Sequence, residues 1–143
     1  MKISTKGRYA LRVMVDLAIY ENGSYIALKD IAQRQEISLK YLEQIMRLLS
    51  ATQFVRSARG AQGGYKLTKS AAQITAKEIL VATEGNLSCV GCVDDPDSCE
   101  RCSHCATNQF WKGLSDTIDQ YLSSYTLKDI ADEYQKNNYD YII

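Results

Sequence analysis

The chain has 143 residues, 45% of them hydrophobic, with 17 Lys and Arg against 17 Asp and Glu. That is one domain with a real core, or one domain with an extension. No apolar run approaches the ~20 residues of a membrane span. The start, Met1-Lys-Ile-Ser-Thr-Lys6, lacks the apolar stretch of a secretory signal, so a cytoplasmic protein is expected. The zero net charge hides a split. Residues 1–69 hold 12 Lys and Arg against 5 Asp and Glu, and residues 70–143 hold 5 against 12. A basic half joined to an acidic half points to an anionic polymer as partner of the first.

Residues 5–21 carry helical spacing. Tyr9, Val13, Leu17 and Tyr20, with Leu11, Met14 and Ala18, form a broad apolar face. Ser4 or Thr5 can cap its start, and Asn22-Gly23 ends it. Lys2, Lys6, Arg8 and Arg12 precede or line this helix and suit phosphate contacts. A second short helix is expected over Leu28 to Gln35. Ser38 caps a third that runs to about Ala51, with Leu42, Ile45, Met46 and Leu49 inward. The connection Gln35-Glu36-Ile37 is brief. Two short helices so joined fit a helix-turn-helix unit, whose second helix enters a DNA major groove. On that helix Ser38, Lys40, Tyr41 and Gln44 are placed to reach bases or phosphates. Gln can read adenine. Glu43 would repel phosphate but accept from cytosine, and so act as a specificity filter.

Phe54 to Arg59 and Tyr65 to Thr68 read as two strands around Gly60-Ala-Gln-Gly-Gly64. Gly60, Gly63 and Gly64 permit positive φ and close backbone approach. This hairpin is expected to be a wing, with Arg59 entering the adjacent minor groove. A nucleotide-binding loop is the competing reading. It lacks the following helix and the G-K-[ST] ending.

Ala76 to Thr83 reads as a short helix ended by Glu84-Gly85. All five cysteines follow: Cys89, Cys92, Cys99, Cys102 and Cys105, spaced C-x2-C-x6-C-x2-C-x2-C. Asp94, Asp95, Pro96 and Asp97 between them cannot pack a core, so the segment is expected to be held by ligands. In a reducing compartment clustered thiols favour a metal over disulfides. Cys89, Cys92, Cys99 and Cys102 approach a closed zinc pattern. Three or four of the five equally suit an iron–sulfur cluster, 2Fe–2S or 4Fe–4S. Spacing leaves both open. From Asn108 an apolar stripe resumes through Phe110, Trp111, Leu114, Ile118, Tyr121 and Leu122. It needs a partner surface, the N-terminal bundle or a second copy, and a homodimer helix is expected. A last short helix is expected over Leu127 to Tyr134. The aromatic, polar tail from Asn137 to Ile143 receives no assignment.

The fold class expected is therefore mainly α: a winged helix-turn-helix with a two-stranded wing and a long C-terminal dimerisation helix. The divisions are 1–85 for DNA binding, 86–107 for the cysteine-rich loop, and 108–143 for the dimer helix and tail. The expected partners are a double-stranded DNA operator and a second copy, with no membrane. No Ser/His/Asp set is present, which argues against an enzyme. A small electron carrier is the other class considered, and the wing and basic half weigh against it.

Three stretches resemble one bacterial family: Met1-Lys-Ile-Ser-Thr-Lys-Gly-Arg-Tyr-Ala10, Ser38-Leu-Lys-Tyr-Leu-Glu-Gln44 and Val55-Arg-Ser-Ala-Arg-Gly-Ala-Gln-Gly-Gly-Tyr65. It is the winged-helix repressor family of the iron–sulfur regulator IscR and the cysteine-metabolism regulator CymR. The resemblance implies that the third helix and wing bind DNA and that a long C-terminal helix makes the dimer. In cluster-binding members it implies three loop cysteines as ligands. Anchored on Cys105-Ala-Thr-Asn-Gln-Phe-Trp-Lys-Gly-Leu-Ser-Asp116, those ligands fall on Cys92, Cys99 and Cys105, with Cys89 and Cys102 extra. IscR has a histidine where this chain has Asn108. The fourth ligand is thus left among Cys89, Cys102, His104, the Asn108 region or a group of the partner subunit. The opening decapeptide and the ending Tyr139-Asp-Tyr-Ile-Ile143 look more like CymR-type regulators, which typically lack the cysteine cluster. The function implied is a DNA-binding repressor whose operator affinity follows an iron–sulfur cluster and senses iron–sulfur status, iron, oxidant or nitric oxide. The alternatives are a cysteine-metabolism repressor of the CymR type and a zinc-stabilised DNA binder without sensing.

Overall fold

A computed structural model describes residues 1–140. The tyrosine-rich ending extends into residues 141–143, which lie outside the described part. Among the described residues there are seven α-helices and one two-stranded antiparallel sheet. Helix α1 spans Thr5–Ile19, α2 Leu28–Gln35 and α3 Leu39–Ala51. Strands β1 (Val55–Ala58) and β2 (Gly64–Leu67) follow, in register Val55↔Leu67 to Ala58↔Gly64. Then come α4 (Ala76–Glu84), α5 (Gly91–Asp94), α6 (Asn108–Ser124) and α7 (Leu127–Asp140). The mainly helical winged fold expected from the sequence is what the structure has.

The caps are local chemistry. Ser4 Oγ accepts from Gly7 N at 3.1 Å, and Ser38 Oγ from Tyr41 N at 3.3 Å. Thr75 and Glu78 form a reciprocal capping box on α4. Glu36, between α2 and α3, sits in the left-handed region at φ 54. That reverses the chain in so few residues and sets α3 against α2.

Val13, Met14, Leu17, Ile31, Leu42, Ile45, Met46, Leu49, Ile74 and Ile79 fill one core between α1, α2, α3 and α4. Two features were not legible beforehand. Ile26 pairs with Tyr65, each amide donating to the other's carbonyl at 2.8 Å, so the wing carries one rung of a third strand. And α7 is longer than the segment expected. Its Leu127 is fully buried and its Ala131 nearly so, in the same core as α1. Residues 74–76 and 125–127 bridge to hold it there, with Ala76 N donating to Tyr125 O at 2.8 Å and Leu127 N to Ile74 O at 2.9 Å.

The apolar stripe of α6 divides between two faces. Trp111, Ile118 and Leu122 are half-buried on the side turned to α4 and α5. Phe110 is 65% exposed, Leu114 38% and Tyr121 62%. At spacings of four and seven these three share one face of the helix. No residue of α6 is fully buried.

Candidate nucleic-acid interface and cysteine loop

The start of α3 is the exposed end of the helix-turn-helix. Ser38, Lys40, Glu43, Gln44 and Arg47 are exposed, and Tyr41 is half-buried. The Tyr41 ring meets Tyr9 edge-on at 5.9 Å and 75°, and Arg12 lies 5.0 Å over Tyr9. This stack brings the first turns of α1, with half-buried Lys6 and exposed Arg8, beside the start of α3. No acidic residue stands in the first turn of α3, so its free amides present positive potential. Leu39, overlooked in the sequence, is 47% exposed there. Its side chain breaks the expected pattern of apolar residues facing inward, and no spacing rule would have singled it out.

The wing presents Arg59 at the end of β1, exposed. Three glycines shape the turn for different reasons. Gly60 has φ 105 in open space, so it is needed for its conformation. A side chain on Gly63 would meet Ala58 O at 2.2 Å. At Gly64, with φ 148, it would meet Ile26 O at 2.0 Å. Gly64 thus permits the close pairing of the wing with Ile26. On the other side of that pairing, Lys66 lies 4.6 Å from the ring centre of Tyr25.

Behind the helix-turn-helix, Asp16 of α1 is 1% exposed. Arg34 of α2 grips it with two bonds of 3.0 and 2.7 Å, and Gln35 Nε2 adds one of 2.8 Å. Its bond to Asp16 holds Arg34 above its usual pKa. Arg34 also stacks 3.9 Å from the Tyr20 ring centre. Arg12 donates to both the side chain and the carbonyl of Gln35. These bonds orient α2 on α1.

The cysteine segment is not a bare loop. It folds as a chain of short turns, α5 and the 3-10 turns Pro96–Ser98 and Cys102–His104. Cys89, Cys92, Cys99 and Cys102 are half-buried, and Cys105 is exposed. Cys89 N donates to Ser115 Oγ of α6 at 3.4 Å. Cys102 Sγ lies 3.6 Å from Cys92 O and accepts from Asn108 Nδ2 at 3.0 Å. Burial pushes the Cys102 thiol up, and the neighbouring Cys92 and Cys99 sulfurs add to that; the Asn108 bond works the other way. Hydrogen bonds from Thr107, side chain first, hold the Cys105 thiol below its usual range. His104 is exposed.

Donor chemistry suits a soft metal or cluster: five free thiols on 17 residues, with Cys102 Sγ beside the backbone of Cys92. Among the described residues, no three His, Cys, Asp or Glu side chains already stand in a metal-holding arrangement. The thiols fit such a group in kind, but not in the arrangement they have here.

The sequence profile of the Rrf2 family, described as iron-dependent transcriptional regulators, matches residues 3–133. IscR of Photorhabdus laumondii is 37% identical over 131 residues, covering 92% of this chain and 79% of that protein. The structure of CymR (YrzC), the global cysteine regulator of B. subtilis, matches with a TM-score of 0.80 at 38% identity, covering 93% of this chain and 98% of that one. T. potens IscR matches with a TM-score of 0.77 at 33% identity, covering 96% and 90%. Among the described residues no helix is long and apolar enough to cross a membrane. The chain belongs to the Rrf2 family of DNA-binding transcriptional regulators and is not an enzyme.

Proposed function

We propose that this regulator is a homodimeric repressor whose grip on its operator is set by an iron–sulfur cluster at residues 89–105. The observation that carries this reading is the thiol-rich turn region seated against α6, the helix that leaves an apolar face uncovered. A second copy covers Phe110, Leu114 and Tyr121. Twofold DNA readers place two recognition helices one helical turn apart, and a dimer helix sets that spacing. Cys92, Cys99 and Cys105 would hold the cluster, which supplies a redox- and iron-sensitive centre. Filling it fixes the turns of the loop, the loop fixes its seat on α6, and α6 fixes the spacing of the paired α3 helices. Coupling of ~1–3 kcal/mol changes operator affinity ~5–150-fold.

On the DNA side, Lys6 and Arg8 take phosphates together with the amides at the start of α3. Ser38, Lys40, Tyr41 and Gln44 face the major groove, Glu43 filters for cytosine, and Leu39 suits a thymine methyl. Arg59, on the turn made by Gly60, Gly63 and Gly64, enters the minor groove. Arg59→Ala should weaken operator binding by ~1–3 kcal/mol and relax sequence preference at the wing positions. An unchanged footprint and affinity would remove the wing arginine from the interface.

Separate Cys92→Ala, Cys99→Ala and Cys105→Ala changes should each abolish visible absorbance after anaerobic reconstitution. Colour retained in all three would refute the ligand choice. Likeness to CymR supports a second reading, a cysteine-responsive repressor that needs no cluster. It predicts that the iron-free protein binds its operator as tightly as the reconstituted one. Elemental analysis of protein purified without oxygen separates both from a zinc-stiffened binder.

A further inference from the structure

We infer that the outer face of the wing, built on the opposed pair Arg56 and Lys66, is a second DNA contact that takes backbone phosphates at the lip of the minor groove, behind Arg59. This rests on the reading of the wing tip as a groove contact. Between Glu43 and Glu78 the sequence holds six Lys and Arg and no Asp or Glu, and the wing lies inside that stretch. Its register sets Arg56 directly opposite Lys66. Side chains alternate across a strand. Val55 and Leu67, one rung away, are buried in the core, so Arg56 and Lys66 stand on the opposite, outward face. Arg56 is exposed and Lys66 half-buried. Like charges directly opposite in an antiparallel pair repel. Among the described residues neither forms an ion pair. The rung thus works against the hairpin in isolation, and one docked anion neutralises both charges.

Lys66 is also held in place. The pairing of Ile26 with Tyr65, continued by one residue, sets Tyr25 beside Lys66. The Lys66 ammonium accordingly lies 4.6 Å from the centre of the Tyr25 ring. A cation over an aromatic face keeps its charge while its position is restrained. Tyr25, Lys66 and Arg56 therefore form a row across the wing, with two cations at one end.

The row lies at the height of the DNA backbone. Arg56 precedes Arg59 by three residues, ~10 Å of extended strand. The minor groove is ~7.5 Å deep. An Arg59 that reaches the floor of the groove leaves Arg56 above its lip, level with the phosphates. Contacts of this kind add affinity without reading sequence.

The test uses full-length wild type, Arg56→Gln, Lys66→Gln, the double variant, Arg56→Lys and Arg59→Ala. Each is titrated, over a range of potassium chloride concentrations, with the duplex that wild type selects from a random-sequence pool. Matching far-ultraviolet circular dichroism shows that each folds. Each neutralisation should lower the slope of log affinity against log salt by ~0.9, and the double variant by about twice that. Arg56→Lys, which keeps the charge, should keep the wild-type slope. Neutral methylphosphonates at the lip of the wing's groove should weaken wild type and leave the double variant unaffected. A double variant with the wild-type salt slope would overturn the proposal. So would methylphosphonates that weaken both proteins equally at every position. Arg59→Ala that binds like wild type would instead sink the reading of the wing tip, whatever the slopes show.

Discussion

Gly64→Ala should lower stability by about 3–5 kcal/mol and detach the wing from the rest of the domain. The added carbon would stand 2.0 Å from Ile26 O and 2.4 Å from Ile26 C, both backbone atoms that cannot swing aside. The φ of 148 adds strain of its own. Relief requires residues 64 and 26 to separate, which breaks the two 2.8 Å bonds between Ile26 and Tyr65. Thermal melting should fall by about 10 °C, and operator binding should weaken beyond what the lost stability explains, since Arg59 loses its mount. Gly60→Ala is the control. It meets nothing within 4 Å and costs only its backbone conformation, about 1–2 kcal/mol. Equal melting temperatures for the two variants would show that the wing is not pinned at Ile26.

Arg34→Ala should cost about 3 kcal/mol, because it strips a buried carboxylate of two of its three hydrogen bonds. Asp16 has a fully buried side chain, whereas that of Arg34 is 29% exposed. Removing the arginine therefore leaves a charge that water cannot reach, while removing Asp16 leaves one that water can partly solvate. Arg34→Ala is expected to be the more damaging of the two single changes. Replacing both, as Asp16→Leu with Arg34→Met, should recover most of the loss, as paired hydrophobic replacements of buried ion pairs often do. A denaturant series on the three variants measures this. An Asp16→Ala protein less stable than Arg34→Ala would show that packing rather than burial of charge governs the site.

Much of this fold could be read from residue order because its signals are local. Helix α2 has the bounds expected from Leu28 to Gln35. Helix α3 starts after Ser38, whose hydroxyl caps it, and ends at Ala51. Each strand differs from expectation by a residue or two at its ends, where hairpin pairing rather than residue type decides the last rung. Helix α7 was read too short because its last turns, Gln135 to Asn138, are polar and exposed. A solvated helix end needs no apolar residue to persist.

What escaped the sequence depends on distant partners. A single rung between Ile26 and Tyr65 leaves no alternation to detect. Nothing in the stripe of α6 says that Trp111, Ile118 and Leu122 turn to their own chain while Phe110, Leu114 and Tyr121 do not. That division follows from where α4 and α5 lie. The cysteine segment was expected to be held by ligands alone, since Asp94 to Asp97 offer no core. Its short turns are instead held by local bonds, such as Asp95 Oδ1 accepting from Asp97 N at 3.2 Å and Asn86 Oδ1 from Ser88 N at 2.8 Å. Asn108 reaches the sulfur of Cys102, six positions away, which ligand spacing alone does not reveal.

Packed helices connect the cysteine segment to α3. Asn108 opens α6, Cys89 is tied to its third turn, and α6 packs on α4. The far end of α4 joins the core of α1 and α3, and Glu84 near its end receives the amide and hydroxyl of Ser4, the cap of α1. The loop, α6, α4, α1 and α3 thus form one continuous set of packed elements.

The most direct test measures operator affinity of one anaerobic preparation before and after removal of its iron. Iron and sulfide per protomer are assayed in parallel, and the duplex is selected separately for each form from a random-sequence pool. The account predicts that affinity for the selected operator differs ~5–150-fold between the two forms and returns on reconstitution. Identical affinities for a fully loaded and a fully stripped protein would contradict it.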